Sequence, residues 1–303
     1  MAVSTADFAT RRRRHYQGIA LVTLATFAWA SGGVFTRLLP FDMWTIIFWR
    51  GVFGITFVGA FTIWRFGREL PAVIARMGPS GILIVLCLTT GITIFVPAFQ
   101  MTSVANAFTI YASVPFMTAG VAWLWLRERP SGRTMIASAV ALAGIVVMLG
   151  PGAGGPRLGD LFAGITTLSM AVMTVAIRRS RQIEMLPVAW IAAILSTLIA
   201  LPLAQHLGEL STRDYLVAAG FGLGPMTLGM MLYVIGSALI PATLSVLINT
   251  MEAPIGALWA WLVIAEVPAT TTFIGGAIVL AAVFGRLLLE RQDEVAGAAA
   301  EEV

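Results

Sequence analysis

The chain has 303 residues, 58% hydrophobic and only 11% charged, with a mean hydropathy of +0.90. A charged fraction below half that of ordinary soluble domains excludes a water-soluble fold and places the chain in lipid. All 19 basic residues are arginine, so no lysine-bearing nucleotide loop is available for a primary pump. The isoelectric point of about 10 reports topology and headgroup contact rather than nucleic-acid binding.

Ten apolar runs approach the roughly 20 residues needed to cross about 30 Å of hydrocarbon. They cover 17–37, 43–64, 80–99, 105–126, 133–150, 159–178, 187–206, 215–236, 242–264 and 269–289. The expected class is an all-α polytopic membrane protein. A basic tail, 1–16, precedes span 1 and is expected to be poorly ordered. Its Arg11 to Arg14, followed by an apolar run and Ala28-Trp29-Ala30, resemble a secretory signal. Cleavage there would remove the partner of span 6, so the segment is read as retained.

Polar groups at membrane depth mark cavities or helix contacts. In span 1, Thr26, Trp29 and Gly33 share a face; Trp29 suits cavity lining or core packing equally. Arg50 lies seven residues into span 2, about 10 Å deep. It can snorkel, hold a structural partner or meet a ligand. Span 3 carries Thr89, Thr90 and Thr93, whose hydroxyls can also satisfy their own backbone, and Cys87, the single cysteine, which excludes disulfides and cysteine metal clusters. Span 4 offers Asn106, Ile110, Tyr111, Ser113, Pro115 and Met117.

Span 5 is built of small and aliphatic residues, with Ala139/Ala143 suited to close packing. The linker 151–158 leads to span 6, where Thr167, Met170 and Thr174 match the span 1 face. Pro225, Thr227 and Met230 mark span 8. Span 9 has the sharpest stripe: Ser245, Asn249, Glu252, Gly256 and Trp259 fall on one narrow helical face. Glu252 acts on substrate or protons, or pairs structurally. Span 10 repeats the small-residue pattern at Ala277/Ala281, so spans 5 and 10 are assigned to a scaffold. A tail, 290–303, ends the chain.

The halves repeat. Glu128-Arg-Pro130 recurs as Glu266-Val-Pro268 at a spacing of 138, with Thr134/Thr272, Ile136/Ile274 and Leu142/Leu280 in step. Gly18/Gly159 and Arg37/Arg178 match at 141. The span 9 stripe maps onto Asn106, Ile110, Ser113 and Met117, with Pro115 opposite Pro254. Five crossings per copy (17–150 and 159–289) invert the second relative to the first, the plan of secondary transporters. With the N-terminus cytoplasmic, 15 arginines fall inside and three (Arg37, Arg157, Arg213) outside.

The candidate substrate-binding residues are therefore Trp29, Thr90, Tyr111, Ser113, Met170, Asn249, Glu252 and Trp259, with Arg50 and Glu252 as charge or coupling groups. No metal or cofactor is expected. An enzyme is disfavoured: there is no Gly-x-Ser-x-Gly or His-Glu-x-x-His, and His15 and His206 lie at span ends. A nucleotide-sugar or phosphate carrier would want more buried cations than Arg50. A passive channel stays open.

Pro115, Glu128, Pro254 and Glu266, with Thr102-Ser103-Val104-Ala105 before span 4, resemble the EamA type of the drug/metabolite transporter superfamily, over nearly all of 17–289. The whole chain looks most like the YddG branch of amino-acid exporters. The family often places Glu directly before the span 9 proline, where this chain inserts Ala253. The resemblance implies a bacterial inner-membrane exporter with both termini cytoplasmic, spans 5 and 10 outside a central cavity, and aromatic or other neutral amino acids as substrates.

Overall fold

The computed structural model describes residues 5–127, 132–149, 157–180, 183–240, 245, 248–249 and 251–301. The helices are α1 (Thr5–Ala30), α2 (Gly32–Leu38), α3 (Met43–Phe66), α4 (Leu70–Ala75), α5 (Gly78–Met101), α6 (Val104–Tyr111), α7 (Val114–Leu126), α8 (Gly132–Leu149), α9 (Leu158–Arg179), α10 (Met185–Ala200), α11 (Thr212–Phe221), α12 (Gly229–Ser237), α13 (Glu252–Ile264) and α14 (Thr270–Glu301). No strand occurs among the described residues. Helix is the expected answer in hydrocarbon, where every backbone N–H and C=O must be satisfied within its own segment.

Six continuous stretches are long and apolar enough to cross a membrane: Arg13–Leu38, Met43–Ala75, Gly78–Met101, Val104–Leu126, Leu158–Ile177 and Thr212–Ser237. Four shorter apolar helices, Met135–Val147, Met185–Ala200, Glu252–Ile264 and Thr270–Gly285, fall on the remaining expected spans. The chain is thus a polytopic helical membrane protein. Span 7 ends at Ala200 rather than 206, because Leu201 to Leu203 turn and Pro202 cannot donate. The backbone is helical from Thr5 and as far as Glu301, where poor order is expected from the sequence. The alanine- and glutamate-rich composition of the last residues favours helix.

Packing follows the repeat. Span 3 (α5) lies along span 6 (α9), as span 8 (α12) lies along span 1 (α1). Spans 2 and 7 pair with each other, as do spans 4 and 9 and spans 5 and 10. Each pairing maps onto itself or another when the halves are exchanged. Two further observations fix the register. The non-glycine residues with positive φ among the described residues are Arg127 (57°) and Ala265 (52°), each closing a 13-residue helix, α7 and α13. They stand 138 apart, and so do the first residues of those helices, Val114 and Glu252. Glu252 is therefore the counterpart of Val114 rather than Ser113, and Asn249 that of Tyr111. The prolines, offset by one within the first turn, mislead the sequence alignment.

The repeat glycines explain the closeness of these pairs. A Cβ on Gly159 would lie 2.5 Å from Met101 C and Thr102 N at the end of α5. A Cβ on Gly18 would meet Ile240, Leu239 and the Gly236 carbonyl at the equivalent end of span 8, at 2.6 to 3.0 Å. Only glycine allows such an approach.

Helices α8 and α14 pack on each other and against the span 4 helices, presenting Met135, Ile136, Leu142, Val146, Phe273 and Ile274 outward. Their contact does not use Ala139/Ala143 or Ala277/Ala281, which are all exposed. It runs through Ala141, Gly144, Gly275, Val279 and Ala282. Small residues occupy every face of these helices, so spacing alone leaves the buried face ambiguous.

Candidate functional site

Four spans are interrupted within their length. Span 1 breaks at Ser31, whose hydroxyl donates to the Ala28 carbonyl at 2.6 Å. Span 4 breaks before α7, where Ser113 donates to the Ile110 carbonyl at 2.6 Å and Pro115 cannot donate into the preceding turn. Span 8 widens into a π-helical segment, Gly222–Leu228, around Pro225. In span 9 a fresh helix starts at Glu252. These four spans touch: α1 packs on α12, α13 and the π segment, and α13 on α6. Interrupted helices meeting inside a bundle leave backbone and helix termini to face a ligand, as lipid-facing spans cannot.

Several expected site residues come together there. Asn249 Oδ1 lies 3.0 Å from the Thr26 hydroxyl, joining spans 9 and 1. That hydroxyl also donates to the Val22 carbonyl at 2.9 Å, so its single proton serves one acceptor and a turned amide completes the other bond. The Tyr111 hydroxyl neighbours that of Thr166 and lies within electrostatic reach of Glu252, joining spans 4, 6 and 9. Neither hydroxyl has a hydrogen bond of good geometry, and the Trp259 indole N–H is also sealed without a partner. Buried polar atoms are seldom left so, and each such group calls for an explanation.

Glu252 forms no ion pair or hydrogen bond among the described residues. Its place is in the first turn of α13, at the positive end of that helix's dipole.

Other expected residues sit apart. Ser113 is 3% exposed and spends its hydroxyl on its own helix. Thr90 and Met170 are half-buried. Thr93 bonds Ser196 across spans 3 and 7 at 2.9 Å, and Thr89 is buried without a partner, so neither closes on its own backbone. Ser245 is buried, while Thr167 and Thr174 bond their own backbones.

Trp29 packs at a tilt against Tyr233, with ring centroids 5.1 Å apart, and its indole fills the space a Cβ of Gly229 would need. The sequence reading missed Tyr233 and Thr166. Phe95, the repeat counterpart of Tyr233, stacks on Tyr111 at 6.1 Å, and this internal match was the available signal. Arg50 does not snorkel: it is 4% exposed and donates to the Ile92 carbonyl at 2.7 Å.

The bundle end away from the termini is tied by polar contacts. Glu266 accepts from the Val104 amide at 2.8 Å and lies 3.7 Å from Arg37, which donates to the Thr102 carbonyl at 2.8 Å. Thr102 donates to Asp160 at 2.6 Å. Beneath these ties sit Phe35, Phe95, Phe99, Phe108 and Phe221, each within 6.5 Å of another ring. Glu128 and Pro130, counterparts of Glu266 and Pro268, lie outside the described residues.

At the same end His206 Nδ1 lies 3.0 Å from Asp42, which caps α3 through the Trp44 and Thr45 amides. Burial alone would raise the Asp42 carboxyl, but hydrogen bonds from Thr45 and His206 outweigh it and hold it below its ordinary value. The bond to Asp42 lifts the His206 imidazole above its own, with Glu209 adding to the effect.

Comparison with known proteins agrees with this architecture. A solved crystal structure superposes with a TM-score of 0.61 at 21% identity, covering 94% of this chain and 99% of that one, which speaks to the fold. An uncharacterized transporter of Archaeoglobus fulgidus is 25% identical over 270 residues, 88% of this chain and 94% of its own length. The EamA-like transporter family model matches twice, over residues 16–150 and 157–288. The chain therefore belongs to the EamA-like transporter family.

Proposed function

We propose that this EamA-family transporter exports small neutral or zwitterionic metabolites, aromatic and other neutral amino acids foremost, as members of the YddG branch do. The observation that carries the reading is the meeting of four interrupted spans around Tyr111, Thr166 and Glu252. Trp29, Tyr233 and Trp259 offer apolar surface for a side chain, while unpartnered hydroxyls and one carboxylate suit an amino-acid head.

Alternating access is supported by the unequal ends of an otherwise repeated bundle. Phe35, Phe95, Phe99 and Phe221 fill one end together with Phe108, whereas the counterparts of the first four at the other end are Ala176, Tyr233, Ser237 and Leu83. Exchange of the two halves between such arrangements opens each end in turn. The arginine bias supports cytoplasmic termini, with the ring-filled end on the outer side of a bacterial inner membrane.

Uptake into proteoliposomes against an amino-acid panel tests the substrate class. Saturable flux of phenylalanine or leucine above that of glutamate and lysine is expected. Equal flux for all, or for none, refutes it.

A further inference from the structure

We propose that Arg50, with the Phe221 ring lying over it, is a lidded carboxylate-binding subsite on the transport path. The proposal rests on the transport reading above and adds to it the group that recognises the acid end of the substrate.

Arg50 is a buried cation without a counter-ion among the described residues. No carboxylate of the described residues lies within 4.0 Å of it. Of its five N–H donors, Nη2 bonds the Ile92 carbonyl, while Nε is sealed from solvent with no partner. The Phe221 ring lies 5.2 Å from Cζ, so an aromatic surface packs against the guanidinium and helps to bury it. A guanidinium in this setting is costly, and one carbonyl does not offset its desolvation. A planar fork with free donors suits the two oxygens of a carboxylate.

The lid stands on the part of span 8 best able to shift. Phe221 is the last residue before the π segment, in which Thr227 donates across five residues to the Gly222 carbonyl at 2.8 Å. Such segments relax to α geometry by moving one residue of register, which would swing Phe221. Gly222 seats this segment on span 2 itself: a Cβ there would stand 2.7 Å from Phe53 Cβ and 3.0 Å from the Arg50 carbonyl. Lid and cation are thus mechanically joined. Phe221 also packs on Phe35 and Phe95 at 5.5 and 6.5 Å, so uncovering Arg50 disturbs the ring cluster that fills this end of the bundle.

The test uses three probes on the purified full-length transporter: phenylalanine, 3-phenylpropionate, which lacks the amine, and 2-phenylethylamine, which lacks the carboxylate. R50Q should weaken binding of both carboxylate probes by about 10- to 100-fold and leave the amine unchanged. R50K, keeping the charge without the fork, should fall between. Equal weakening of all three probes, or none, would overturn the subsite and make Arg50 a tie between spans 2 and 3. Should R50Q not survive purification, F221L on the native arginine should tighten 3-phenylpropionate a few-fold without affecting the amine, and equal changes would overturn the proposal. Phenylalanine flux that R50Q leaves intact removes Arg50 but spares the transport reading. Wild-type protein that binds no carboxylate probe removes the subsite, and only absent flux across the whole amino-acid panel removes both.

Discussion

Replacing Gly159 with alanine tests the packing that joins the two repeats. The added methyl would lie 2.5 Å from Met101 C and Thr102 N and 2.8 Å from Ala98 O, all backbone atoms that cannot rotate away. Ordinary carbon contacts begin near 3.5 Å, so α5 and α9 must part locally by about 1 Å. Overpacking of this kind costs roughly 1–3 kcal/mol. The better helix propensity of alanine returns up to about 1 kcal/mol, and less in a first turn. A net loss of about 1–2 kcal/mol follows. Gly164, on the same helix, has nothing within 4 Å of its Cβ position, so G164A should be neutral or slightly stabilising. G18A, which meets two side chains able to give and one carbonyl, should fall between the two. Thermal melting of the three variants in one detergent reads the order directly. G159A melting at or above G164A would refute the claim that these spans approach through glycine.

Three further outcomes are expected. E252Q should melt like the wild type, since the carboxylate has no described partner to strand, yet it should change phenylalanine flux or its pH dependence; a large loss of stability would instead reveal structural pairing. E266A removes the acceptor of the Val104 amide and the 3.7 Å pair with Arg37, and about 1–2 kcal/mol of stability should go with the charge-assisted bond, the half-exposed ion pair adding little; unchanged melting would show this end to be held otherwise. The His206–Asp42 pair needs a protonated imidazole and an ionised carboxylate. Its stabilisation should be full between the ordinary aspartate and histidine pKa values, fade as pH falls through the lowered pKa of Asp42, and be lost as pH rises through the raised pKa of His206. Melting of the wild type relative to D42N across pH 5 to 9 checks the sign, and a constant difference would contradict it.

Much of this was legible because lipid makes the code simple. Any long apolar run is a helix, and Gly18/Gly159 marked the repeat, though only the fold shows both as points of close helix approach. The matched prolines Pro115 and Pro254 stand in the first turns after the breaks in spans 4 and 9 but shift the register by one, since proline is tolerated at several first-turn positions. The faces of α8 and α14 were not legible, because in hydrocarbon a buried alanine and an exposed one look alike in sequence. Tyr111 and Glu252 both stand among the expected site residues, and the fold brings them within electrostatic reach of one another, whereas Thr166 lies one residue around the helix from Thr167, which the sequence singles out. Arg50 shows the same limit: sequence gave its depth, and only the fold reveals Phe221 above it and the Ile92 carbonyl beside it.

Alternating access is tested most directly by locking the ring-filled end. Val104 and Glu266 approach one another across the repeats, so cysteines introduced by V104C and E266C in a C87S background can be joined by a short reducible cross-linker. Phenylalanine counterflow in proteoliposomes should be saturable before cross-linking, fall to background after it and return on reduction, with each single variant unaffected by the reagent. Undiminished flux through fully cross-linked protein would contradict alternating access at this end and point to a channel or another moving part.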